Sequence, residues 1–63
     1  PDFSVRGYVQ AMYDFTGSTD NELSFEQGTL IFVQYKACPG WLVGTIPPNT
    51  DSVGLLPENY VVF

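Results

Sequence analysis

Thr29-Leu30-Ile31-Phe32-Val33-Gln34-Tyr35-Lys36, then Ala37-Cys38-Pro39-Gly40, then Trp41-Leu42-Val43-Gly44-Thr45-Ile46, follow one another without a gap. The first and third segments are rich in β-branched and aromatic residues, which suit a pleated, half-buried surface. The Pro-Gly pair in the middle segment marks a loop. The alternation in Thr29–Lys36 sends Ile31 and Val33 one way and Leu30 and Phe32 the other, so both sides are at least partly covered. The reading is strand, turn, strand. Outward from it the pattern repeats. Tyr8 to Phe15 alternates as a strand, with Val9, Ala11 and Tyr13 on one face. Thr16 to Glu22 is a long polar loop. Leu23-Ser24-Phe25 is a short strand, and Glu26-Gln27-Gly28 a turn. Pro47 to Ser52 forms a hairpin connection with Asn49 and Asp51 as turn formers. Val53 to Leu56 is a strand that Pro57 ends. Pro57 to Tyr60 is a tight turn, one turn of 3₁₀ helix, and Val61 to Phe63 a last short strand. Gly and Pro interrupt every window long enough for a three-turn helix. About five short strands in 63 residues predict an all-β fold, a small, strongly bent sheet pair or barrel.

A chain of this length makes one domain. It buries only about 60% of the surface its unfolded form exposes, which leaves roughly 3–5 kcal/mol of stability. Any cluster of exposed apolar residues therefore needs a reason. The net charge is −5, and Arg6 and Lys36 are the only basic residues. No basic face for nucleic acid can be assembled from two cations, and anionic lipid would repel the chain. The sign of the charge favours a cationic partner. Cys38 is the single cysteine, so no internal disulfide forms, and the expected setting is reducing and cytoplasmic. No apolar run approaches the roughly 18 residues of a membrane span.

The inventory for catalysis is nearly empty. There is no histidine, the commonest general base and metal ligand. Cys38 has no partner that would activate it, and Asp20 with Glu22 reads as a solvated acidic loop before it reads as an acid–base pair. No metal-ligand spacing and no phosphate-binding glycine loop occur. The expectation is a protein without catalytic residues, metal or cofactor. The aromatic residues are the informative feature. Tyr13 and Phe15 sit where the first strand enters the long loop, Trp41 follows the Pro-Gly turn, and Pro57 and Tyr60 lie in the last tight turn. These are the ends of elements, where core residues are less expected. Taken singly each would cap a barrel; together they suggest a surface.

Four segments carry a family resemblance. Ala11-Met12-Tyr13-Asp14-Phe15, Glu22-Leu23-Ser24-Phe25 followed by Gly28, Trp41, and Gly54-Leu55-Leu56-Pro57-Glu58-Asn59-Tyr60-Val61 resemble, in order and spacing, the signature segments of Src homology 3 (SH3) domains. The resemblance runs from about Val9 to Val61. It implies a five-stranded barrel of two orthogonal antiparallel sheets over residues 8–63, with residues 1–7 an N-terminal flank or linker. It implies a core of Val9, Ala11, Leu23, Phe25, Ile31, Val33, Leu56 and Val61. It implies further that the module binds proline-rich PxxP segments flanked by Arg or Lys, as a monomeric part of a larger signalling, adaptor or cytoskeletal protein. Tyr13, Phe15, Pro57 and Tyr60 would line two proline slots. Trp41 would edge a third pocket, Asn59 would donate a hydrogen bond, and Asp20 and Glu22 would meet the ligand's cation.

A polyproline II ligand is already extended, at about 3.1 Å per residue. Flat aromatic walls suit its rings. Several positions depart from the family pattern. Phe15 lacks a tyrosine hydroxyl, Leu42 stands where a second Trp is usual and outside the groove, and Leu55 stands where an aromatic is common. Gly44 interrupts a strand, where glycine weakens packing or permits a close approach. Pro47-Pro48 makes the distal connection unusual. Leu55 and that connection motivate an alternative, the same fold recognising a folded domain or a segment without PxxP.

Overall fold

In the computed structural model, which describes all 63 residues, the strands are β1 (Gly7–Ala11), β2 (Leu30–Cys38), β3 (Trp41–Ile46), β4 (Asn49–Pro57) and β5 (Val61–Val62), with one 3₁₀ turn over Glu58–Tyr60. All neighbouring pairs are antiparallel, in the order β4-β3-β2-β1-β5. Hydrogen bonding runs as one continuous ladder. Irregular steps at Val33/Tyr35 and Lys36/Cys38 between β2 and β3, and at Gly44/Ile46 between β3 and β4, break its regularity. Extra residues of this kind bend and twist a strand, and the bend brings the two ends of the ladder onto one core. Val9, Ala11 and Val61 come from one end, Leu42 and Leu56 from the other, and Ile31, Val33 and Phe25 lie between them.

Several expectations are corrected. β1 ends at Ala11, not Phe15, because Met12 N–H turns to the carbonyl of Tyr60 (2.7 Å). Leu23-Ser24-Phe25 is not a strand of the sheet. Phe25 exchanges two 2.8 Å backbone hydrogen bonds with Phe15, and Leu23 N–H donates one to Leu55. β2 runs on to Cys38, and β4 starts at Asn49, so the distal connection is the two residues Pro47-Pro48. Leu23 is only half-buried, whereas Leu42 is fully buried in the core. Both faces of β3 are covered, with Leu42, Val43, Gly44 and Thr45 buried in succession.

Residues 1–6 lie against the barrel. Asp2 and Lys36 exchange backbone hydrogen bonds of 2.9 and 2.8 Å, the Phe3 ring meets Tyr35 at 5.3 Å, and Val5 packs on the core. Ser4 donates its hydroxyl and its N–H to the Asp2 carboxylate, holding that group below the ordinary carboxylate range.

Gly44 is a close approach. A Cβ there would stand 2.6 Å from the carbonyl oxygen of Phe32. That atom is backbone in the central ladder and cannot rotate away. Gly44→Ala should cost about 1–3 kcal/mol, the usual range for overpacking. Urea unfolding should show a lower midpoint with an unchanged slope; an unchanged midpoint would mean that β2 and β3 separate here at little cost.

Candidate functional site

Four aromatic rings collected from three segments form one continuous row. Tyr13 meets Tyr60 edge-on at 5.6 Å, Tyr60 meets Phe15 at 5.5 Å, and Phe15 meets Trp41 at 6.4 Å. T-shaped pairs at these separations are favourable beyond the area they bury. Backbone bonds fix each ring. Met12 N–H on the Tyr60 carbonyl joins the walls bearing Tyr13 and Tyr60. Phe15 is pinned by its pairing with Phe25, and the two rings also pack at 5.6 Å. Trp41 lies opposite the buried Pro57 in the β3–β4 register. Glu58 N–H donates to the carbonyl of Gly40 (2.8 Å), which ties the 3₁₀ turn to the residue before Trp41. Tyr13 and Asn59 are exposed, and Phe15, Trp41 and Tyr60 are half-buried, so each ring in the row presents some surface to solvent. Rows of this kind form shallow troughs. The largest hollow, about 420 Å³, shares only Phe15 with the row and is otherwise lined by residues such as Phe25, Glu26 and Ile46.

The acidic residues reach the Trp41 end through backbone pairing. Leu55 N–H donates to Asn21 and Leu23 N–H to Leu55, both at 2.8 Å. This docks Glu22 beside Leu55, two residues before Pro57. The Glu22 carboxylate is set within its own loop. It accepts Ser18 N–H at 3.0 Å and the Ser18 and Thr19 hydroxyls at 3.4 Å. An ionised carboxylate has about four lone-pair sites, so capacity remains for a further donor. Gly17 allows this fold of the loop, because a Cβ there would stand 2.7 Å from the Cβ of Glu22. Asp20 stands exposed at the loop tip.

Of the eight residues singled out in the sequence, Tyr13, Phe15, Trp41 and Tyr60 form the row, Pro57 pairs opposite Trp41, Asn59 shares the 3₁₀ turn with Tyr60, and Glu22 is docked beside Leu55, while no contact ties Asp20 to the row. Sequence reading missed the ion pair that joins β2 to the 3₁₀ turn, Lys36 Nζ to the Glu58 carboxylate at 3.1 Å. Its one signal was that only two cations exist to be placed.

A small all-β barrel whose element ends gather exposed aromatic rings beside an acidic loop is the architecture of a peptide-docking module. The chain belongs to the Src homology 3 family: residues 11–62 match the family model described as a variant SH3 domain. NAP1-binding protein 2 of Saccharomyces cerevisiae is 37% identical over 98% of this chain, which spans 26% of that protein's length. The yeast Nbp2p SH3 domain, solved in complex with a peptide from Ste20p, is similar with a TM-score of 0.81 and 38% identity, covering 90% of this chain and 84% of that one. The C-terminal SH3 domain of Entamoeba histolytica myosin IB, solved bound to an EhFP10(GEF) peptide, gives a TM-score of 0.76 and 36% identity, covering 92% of each chain.

Proposed function

We propose that this domain is a non-catalytic interaction module that docks proline-rich polyproline II segments carrying an Arg or Lys flank. The row Tyr13–Tyr60–Phe15–Trp41 carries the reading. Partly exposed rings held edge-on leave slots between them, and the rings of an extended PxxP ligand fit such slots. Tyr13, Phe15, Pro57 and Tyr60 line the two proline slots, Trp41 borders the third pocket, and Asn59 and the Trp41 indole donate to ligand carbonyls. Asp20 and Glu22 receive the cation, with Arg able to bind in two-pronged fashion. The two solved relatives that hold peptides support this use of the fold. An intracellular setting in a larger adaptor or cytoskeletal protein accords with the free, exposed Cys38 and with relatives several times longer than this chain.

The test is a ¹H–¹⁵N titration with Arg-flanked and neutral-flanked proline-rich peptides. Saturable shifts should cluster on Tyr13, Phe15, Glu22, Trp41, Asn59 and Tyr60, with dissociation constants on the order of micromolar. No shift at millimolar peptide on a folded sample refutes the ligand class. Glu22→Gln should weaken the Arg-flanked peptide about two- to fivefold, the span of a solvent-exposed ion pair, and leave the neutral-flanked peptide nearly unchanged. Equal losses for both would remove Glu22 from the cation pocket.

A further inference from the structure

The chain's two cations are both engaged away from the acidic loop. Arg6 lies over the Phe32 ring, 5.2 Å from its centroid, on the face opposite Ile31 and Val33. Lys36 is held by Glu58, with Nζ at 3.1 Å from Oε1 and 3.3 Å from Oε2. The other carboxylate near Lys36, that of Asp2, is turned onto Ser4. Glu58 is not a remote surface acid. It stands between Pro57 and Asn59 and its N–H binds the residue before Trp41. By backbone placement, the Trp41 end of the trough is flanked by Glu22 on the loop side, docked beside Leu55, and by Glu58 on the turn side, tied to Gly40. Only the Glu58 bank carries a compensating cation.

We propose that the Lys36–Glu58 pair sorts ligand charge: Lys36 cancels the carboxylate on the turn bank, so that a ligand's Arg or Lys is drawn to Asp20 and Glu22 on the loop bank alone. This rests on the peptide-docking reading above and adds a determinant of specificity to it. Without Lys36 the ligand's cation would find acids on both banks, and its position would no longer be fixed by charge. Without Glu58 a free ammonium would border the trough and repel that cation. The pair is half-exposed, so its influence is screened by salt.

The experiment compares two peptides with one proline core, one Arg-flanked and one neutral-flanked, on the wild-type domain and on Glu58→Gln, Lys36→Met and the double variant. The quantity read is the ratio of the two affinities. At low salt, Glu58→Gln should lower this ratio about threefold and Lys36→Met should raise it about threefold, effects of the size exposed ion pairs show. The double variant should return it to the wild-type value, and all differences should shrink in ~1 M salt. The neutral-flanked peptide should bind all four proteins alike. A ratio unchanged in both single variants, a double variant that does not return to it, or parallel losses for both peptides would overturn the proposal. A wild-type domain that binds neither peptide would overturn the docking reading and this inference together, whereas wild-type binding with the expected Arg preference isolates a failure to this inference.

Discussion

Leu42→Ala should leave a domain that is barely folded at room temperature. Leu42 is completely buried, from the strand at the centre of the β2–β3–β4 run. It packs in the cluster that joins the two ends of the ladder. Truncating such a leucine costs about 2–5 kcal/mol, the transfer term plus the cavity left behind. A domain of this size has roughly 3–5 kcal/mol in total. A loss near the middle of that range lowers the melting temperature by more than about 10 °C, at about 4–8 °C per kcal/mol. Circular dichroism melting checks it. A shift of only a few degrees would mean that β3 collapses over the gap and that the core is less closely packed than its burial implies.

The neighbouring residue should behave in the opposite way. Trp41→Ala should preserve the melt within a few degrees and weaken proline-rich peptides by about 30-fold or more, which corresponds to the 2 kcal/mol that marks a binding hot spot. Trp41 is half-buried, touches Phe15 only edge-on at 6.4 Å, and is absent from the core cluster. Its removal exposes little of the interior but takes away one wall of the trough. Paired titration and melting curves separate the outcomes. A collapsed melt would make Trp41 a structural residue. An intact melt with undiminished peptide affinity would place the docking surface elsewhere, and a partner whose binding survives the substitution would be a folded domain held on another face.

These two adjacent residues also show what could be read in the sequence and what could not. The limits of β3, Trp41–Ile46, follow from a Pro-Gly turn before it and a Pro-Pro pair after it. The exposed row was legible because aromatic residues at element ends are hard to assign to a core. Leu42 was not legible. With both faces of its strand covered, alternation carries no information on which side is inside. The family pattern drew attention to its place beside the groove rather than to its burial. Met12–Phe15 misled for a related reason. The sequence there keeps its alternation, but the chain bends at Met12 and Tyr13, and its backbone partners are Tyr60 and Phe25. Leu23 packs against the core cluster while remaining half-buried, its side chain lying over Gly54, where a Cβ would come within 3.1 Å of it. The pairing of Asp2 with Lys36 and that of Lys36 with Glu58 join residues 34 and 22 positions apart. No local propensity encodes them.

The pairing of β1 with β5, Gln10 with Val62 and Ala11 with Val61, has a consequence for how such a module works within a longer polypeptide. β5 begins directly after Tyr60 and runs back along β1, from Ala11 towards Gln10. A proline-rich stretch joined beyond β5 by a flexible tether long enough to reach the trough would be presented to it at an effective concentration in the millimolar range. Against a micromolar affinity, that is enough to keep the trough occupied from within. A partner in solution would then succeed by abundance or by multivalent attachment rather than by binding tightly once.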